Sequence, residues 1–424
     1  MYAAVLRTPY ALRTFGSALV GRLSYGTVSL SLMLAVKAAT GSYAVAGTVM
    51  AVFGAASVFL SPLRARFIDR YGPRRALTPM ALGYAALLGV LAAVTWRPGA
   101  PGWLLVALAL CAGAATPPLG PAMRTVWSQL LPDRRLLQRA YSLDGVAEEL
   151  LFVSGPLIVG VLVLFAPAAF GVALSAGLVA VGTLVFVASP MVGAVAPAGR
   201  QCQERARVVG RIARPVIATL GVGLALGAAD LLVLAFAEDR GRADAAAWVL
   251  AALSAGSAVG GLVNGAVDWR LPARTRLTLL TFGLAAALGA AALAPGLLTL
   301  AAAAACVGLF VAPALTTAYL IADDAVDPGL RTQAGAWVNT AVNAGSSGGT
   351  AGMGLLVSHA PLPLCFAAAA TAPLLAGLAA AFRAGQKPAP PALEERGPGQ
   401  SPVTRTPVGE PQSSSPSSPS SSAE

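Results

Sequence analysis

Five ionisable side chains stand inside runs of apolar sequence. Arg22 falls in the first run, Asp144, Glu148 and Glu149 at the start of the fifth, and Asp230 in the outer half of the seventh. A charge in such a setting is costly to bury, so each is a functional candidate by default. Asp144 and Glu148 are four residues apart and share a helix face, whereas Glu149 points about 100° away. Arg22 and the glutamates sit at similar depth, so the sequence allows an Arg22–Glu148 or Arg22–Glu149 ion pair that keeps the carboxylate ionised. The alternative, that Asp144 to Glu149 lie at the headgroups and only cap the helix, stays open at this point. Asp230 has no basic neighbour in sequence and suits proton loading, unless it is a helix-end acid beside Glu238 and Asp239. Asn339 and Asn343, four apart in the eleventh run, add neutral hydrogen-bonding groups.

Other chemistries are excluded. A nucleotide-driven pump needs a P-loop lysine after glycine and before serine or threonine. The only lysines, Lys37 and Lys387, have neither neighbour. His359 is the sole histidine, and Cys111, Cys202, Cys306 and Cys365 have no metal-ligand spacing, so no metal, cofactor or disulfide framework is expected. Gly345-Ser346-Ser347-Gly348-Gly349 fits the Gly-x-Ser-x-Gly nucleophile pattern, but that motif needs a strand-to-helix turn and a histidine partner. It reads instead as a small-residue face for close helix packing. No enzymatic activity is expected.

The elements that must position these residues are membrane helices. Of the 424 residues, 56% are hydrophobic and 11% charged, against roughly 25% charged in a soluble domain. Twelve apolar spans are predicted, at about 15–37, 42–63, 76–96, 103–125, 143–165, 168–190, 215–237, 246–267, 276–294, 297–320, 334–357 and 362–383. The first is too long for the apolar core of a cleavable signal peptide. With the N-terminus inside, twenty-four of the 29 basic residues fall on inner segments and four on outer ones. This positive-inside bias puts both termini in the cytoplasm of a cell-membrane protein. Arg124 is placed at the inner end of the fourth span. The net charge of +11 lies between spans rather than on one soluble face, so no nucleic-acid partner is expected.

The chain also repeats weakly. Shifted by 194 positions, Ala140, Gly155 and Gly160 meet Ala334, Gly349 and Gly354; separately, Asp268 at the inner end of the eighth span echoes Asp69 at that of the second. This predicts a six-helix half over 1–192, a linker over 193–212 and a second half over 213–384. The remainder, 385–424, is rich in proline and serine and reads as a disordered cytoplasmic tail.

The stretch Ser61 to Arg75, SPLRARFIDRYGPRR, is read as a basic turn between spans two and three, with Arg64, Arg66, Arg70, Arg74 and Arg75 around Asp69. Asp69, Arg70, Gly72, Arg74 and Arg75 resemble the loop between the second and third helices of the major facilitator superfamily. Gly155, Pro156 and Gly160, with Gly145 before them, resemble the fifth-helix motif of its antiporters. Ala65 replaces a usual glycine in the loop, and a single Gly160 replaces paired glycines after the proline. The resemblance implies an all-α, twelve-helix fold in two pseudo-symmetric halves, with a cavity lined by spans one, four, seven and ten. It implies a monomeric, proton-coupled exporter of a small compound, whose Asp69, with Arg70 and Arg74, holds the halves closed on the cytoplasmic side. A proton-symport importer and a non-transporting receptor or scaffold are the alternatives.

Overall fold

The computed structural model describes residues 2–131, 133–195, 197 and 205–382. The predicted tail over 385–424 and residues 196 and 198–204 of the predicted linker lie outside the described residues. All regular structure in the described residues is helical. The long helices are α1 (Ala11–Thr40), α2 (Tyr43–Phe59), α3 (Ser61–Tyr71), α4 (Pro73–Thr95), α5 (Gly102–Ala115), α6 (Leu119–Leu130), α7 (Arg134–Leu162), α8 (Ala168–Val187), α9 (Ala213–Asp239), α10 (Ala246–Ala266), α11 (Ala273–Ala291), α12 (Leu297–Asp324), α13 (Arg331–Val357) and α14 (Leu362–Phe382).

Nine spans among the described residues are long and apolar enough to cross a membrane, with α5 and α6 counted as one. The pair α2 and α3, bent by 41°, makes a tenth. The other two predicted spans are α11 and α13. The latter is rich in glycine, serine and asparagine because it lines a cavity and packs closely on α9. The arrangement is the twelve-helix, two-half fold that the sequence implies.

Three local features depart from expectation. The basic stretch is largely helical, not a turn. Pro62 opens α3 in its first turn, where the missing N–H costs nothing. Ala65 and Ile68 are buried on one face while Arg70 points outward. Gly72, at φ 81°, ends α3 in a conformation that a side chain would strain. Secondly, span four is broken at Pro117-Pro118, because neither proline supplies an amide to the helix ladder. The chain resumes as α6 and runs to Leu130, so Arg124 lies inside a helix rather than at a span end. The freed carbonyls find donors: Arg64 Nη1 donates to Gly113 O at 2.5 Å and Ala114 O at 3.1 Å, and the Tyr25 hydroxyl donates to Pro117 O. Thirdly, α7 begins at Arg134, nine residues before the predicted span, capped by Asp133, whose carboxylate accepts from Arg135 N at 3.0 Å.

Glycine sets the closest helix crossings. A β-carbon at Gly155 would overlap the backbone of Gly26, which joins α7 to α1. A β-carbon at Gly227 would overlap the Ser346 carbonyl, and one at Gly349 the Leu224 carbonyl, which joins α9 to α13. The Gly345–Gly349 stretch is thus a packing face.

Candidate substrate and proton site

Arg22 and Asp144 lie on helices that meet at the Gly26–Gly155 crossing. That approach brings Arg22 Nη1 to 2.5 Å from Asp144 Oδ1 and Arg22 Nη2 to 3.0 Å from Glu148 Oε2. Arg124, carried in by α6 after the proline break, completes the group. Its Nε is 2.9 Å from Asp144 Oδ2 and its Nη2 is 2.8 Å from Glu148 Oε2. Two guanidiniums and two carboxylates therefore form a closed, charge-neutral ring. Asp144 is fully buried, so it is an interior ion-pair partner and not a helix cap. The ring of Tyr319, from α12 in the other half, covers Arg124 at 3.8 Å.

Glu149 turns away from this ring, as its spacing requires. Its Oε1 accepts from Ser257 Oγ at 2.9 Å across the two halves, so it is not the partner of Arg22. Asp230, on α9, is exposed and forms no ion pair resolved among the described residues. Arg22, Arg124, Glu148, Glu149, Asp230, Asn339 and Asn343 all line one cavity of 620 Å³, together with apolar and aromatic residues of both halves. Asn343 Nδ2 donates to Asn339 O at 2.7 Å along its own helix. Sequence reasoning missed Arg124, Tyr319 and Ser257 as members of this site. The proline pair in span four was the signal that could have placed Arg124 correctly.

The motif residues divide. Asp69 accepts from the backbone amides of Thr332 at 3.3 Å and Gln333 at 2.9 Å, at the start of α13 in the opposite half. Arg70, Arg74 and Arg75 are exposed, and no bond from them to the other half is resolved among the described residues. Asp268 is placed likewise in the second half, 3.4 Å from Arg135 and 3.7 Å from Arg139 near the start of α7. Tyr141 donates to Asp323, Arg331 Nη1 donates to Ser128 O at 3.0 Å, and Thr340 Oγ1 donates to Val58 O at 3.1 Å. These bonds between the halves lie between the basic face and the level of Glu149. Of the second motif, Gly155 makes the crossing with Gly26, Pro156 and Gly160 are exposed, and a β-carbon at Gly145 or Gly160 would meet open space.

The sequence model of the Major Facilitator Superfamily matches residues 14–229 and again 215–416. The chain belongs to the major facilitator superfamily. Solved structures of the superfamily share its fold. A bacterial homologue of the iron transporter ferroportin, in an outward-facing state, aligns with a TM-score of 0.71 at 15% identity over 88% of this chain and 99% of that one. The human organic anion transporter MFSD10 aligns at 0.65 and 14% identity, over 87% and 98%. The E. coli fucose:proton symporter aligns at 0.64 and 16% identity, over 90% and 100%. A search of curated proteins finds no significant match. Superfamily members are secondary transporters of small molecules rather than enzymes, and this chain is a multi-pass membrane transporter.

Proposed function

We propose that this transporter exports a small molecule across the cytoplasmic membrane in exchange for protons, by alternating access, as a monomer with both termini inside. One observation carries the reading. Glu149 and Asp230, from opposite halves, line a single cavity, and no ion pair to either is resolved among the described residues. A carboxylate in such a place can hold a proton or support cargo, but not both at once. The bonds at the basic face leave this conformation closed there, so we read it as open to the outside. Protons entering from outside would then occupy the carboxylates and release the cargo. Rocking of the halves over 1–192 and 213–384, with 193–212 as the linker and 385–424 as a tail without a transport role, would expose the same groups to the cytoplasm. There the protons leave and new cargo binds. Asp69 would act as the latch of the conformation described, breaking from the start of α13 as the basic face opens.

Counterflow in proteoliposomes against a compound panel, with and without an imposed pH gradient, tests this. Substrate should move against the direction of proton flow. Movement with the protons would replace export by symport, and no transport of any compound would favour a receptor or scaffold.

A further inference from the structure

The charges that line the cavity are not equally accessible. Arg22 and Arg124 are 3% and 6% exposed, pinned inside the ring with Asp144 and Glu148. Arg64 is 6% exposed and is engaged by the carbonyls of Gly113, Ala114 and Ser57. Against these, Glu148 is 31% exposed, Glu149 is partly exposed and Asp230 is exposed. A molecule entering the cavity therefore meets carboxylates, with the guanidiniums behind them. Where the accessible charges of a low-dielectric cleft are of one sign and the opposite charges are buried behind them, cargo of the opposite sign to the accessible groups is favoured. The remaining wall is uncharged and mixes apolar and aromatic residues, Tyr25, Phe152, Leu226 and Leu315 among them, with neutral polar groups such as Asn339 and Asn343. Such a wall favours a hydrophobic body, and an aromatic face adds attraction for a cation.

From this we infer that the cargo is a lipophilic organic cation, whose positive centre sits between Glu149 of the first half and Asp230 of the second. Glu148 cannot serve equally, because its carboxylate is already engaged by both arginines at 3.0 and 2.8 Å. Glu149 shares only a neutral hydroxyl, that of Ser257, and lines the same cavity as Asp230. A single cation between them would neutralise charge contributed by both halves and join them. The inference rests on the transport reading only for the cavity's role, and it is tested by binding rather than by transport.

Tetraphenylphosphonium and tetraphenylborate have nearly the same size and shape and opposite charge, and neither can carry a proton. Equilibrium dialysis of each against the purified, detergent-solubilised full chain separates charge from hydrophobicity. The phosphonium should bind saturably and the borate should not. Glu149→Gln and Asp230→Asn should each raise the phosphonium Kd by about tenfold, the size expected when one of two nearby charges is lost. Both variants keep the shape of the side chain, and thermal unfolding matching the parent shows that they are folded. Equal or tighter binding of the borate, absence of saturable phosphonium binding, or a folded double variant with the parental Kd would each overturn the inference. Binding as expected with no transport of any cation would instead leave the cation site standing and sink the export reading.

Discussion

At the scale of single residues, Arg22, Asp144, Arg124 and Glu148 constrain one another through four ion pairs. Each charge has two partners of opposite sign, so removing one leaves a buried charge in excess. Arg22→Gln should lower stability by roughly 3–5 kcal/mol, the cost of breaking a buried pair. Arg22→Gln combined with Glu148→Gln leaves the Arg124–Asp144 pair at 2.9 Å and restores neutrality, so it should recover part of the loss. Thermal unfolding of the purified variants measures this, and strictly additive losses would show that the two are not coupled. The Arg22–Glu148 pair was legible from sequence because both charges interrupt apolar runs at one depth. The place of Arg124 was not. A window of apolar residues ends at position 125, and only the geometry after Pro117-Pro118 shows that the helix continues. Glu149 could be separated from Glu148 by its angle around the helix, but its partner Ser257 carries no charge and left no trace in the pattern.

At the scale of elements, two kinds of contact divide the labour. Glycine crossings fix helices within a half, and polar bonds at the basic face hold one half to the other. Gly227→Val should prevent α9 from seating on α13, because the added carbon overlaps the Ser346 carbonyl. Folded yield after solubilisation should fall sharply, and near-parental yield would show that the helices can shift apart. Asp69→Asn should act differently. It keeps an acceptor for only one of the Thr332 and Gln333 amides, sets an amide nitrogen against the other, and removes the charge facing the start of α13, the charge alone being worth about 0.3–1 kcal/mol. Membrane yield should persist while turnover falls several-fold. Labelling of a cysteine at Ser346 from the basic side should rise as closed molecules are lost. Unchanged turnover and labelling would reduce Asp69 to a topogenic charge. The small-residue face was legible as a run of glycine and serine. That the basic stretch forms α3 was not, since its five arginines resemble a loop by composition and only their alternation with Ala65 and Ile68 marks a helix.

At the scale of the whole molecule, the weak repeat proves to carry packing and not charge. Gly155 and Gly349, matched by the shift of 194, both make close helix crossings. The same shift places Val338 and Val342 where the first half has Asp144 and Glu148, so the ionic ring belongs to the first half alone. The second half contributes Asp230, Asn339 and Asn343 to the common cavity instead. This asymmetry predicts distinct roles. In the proposed cation site the first half is braced by its ring, and the second would bring to the cargo Asp230, for which no ion pair is resolved among the described residues. Asp230→Asn removes the proton-accepting oxygen and mimics the loaded state, while Glu149 and the apolar wall remain to hold cargo. At saturating substrate, exchange across proteoliposome membranes should therefore survive near the parental rate. Accumulation driven by a pH gradient should be lost, because the return half-cycle no longer carries a proton on residue 230. Gradient-driven accumulation by Asp230→Asn at the parental rate would move the proton to Glu149. That assignment could then be checked by repeating the measurement with Glu149→Gln, whose hydrogen bond to Ser257 an amide oxygen can still accept.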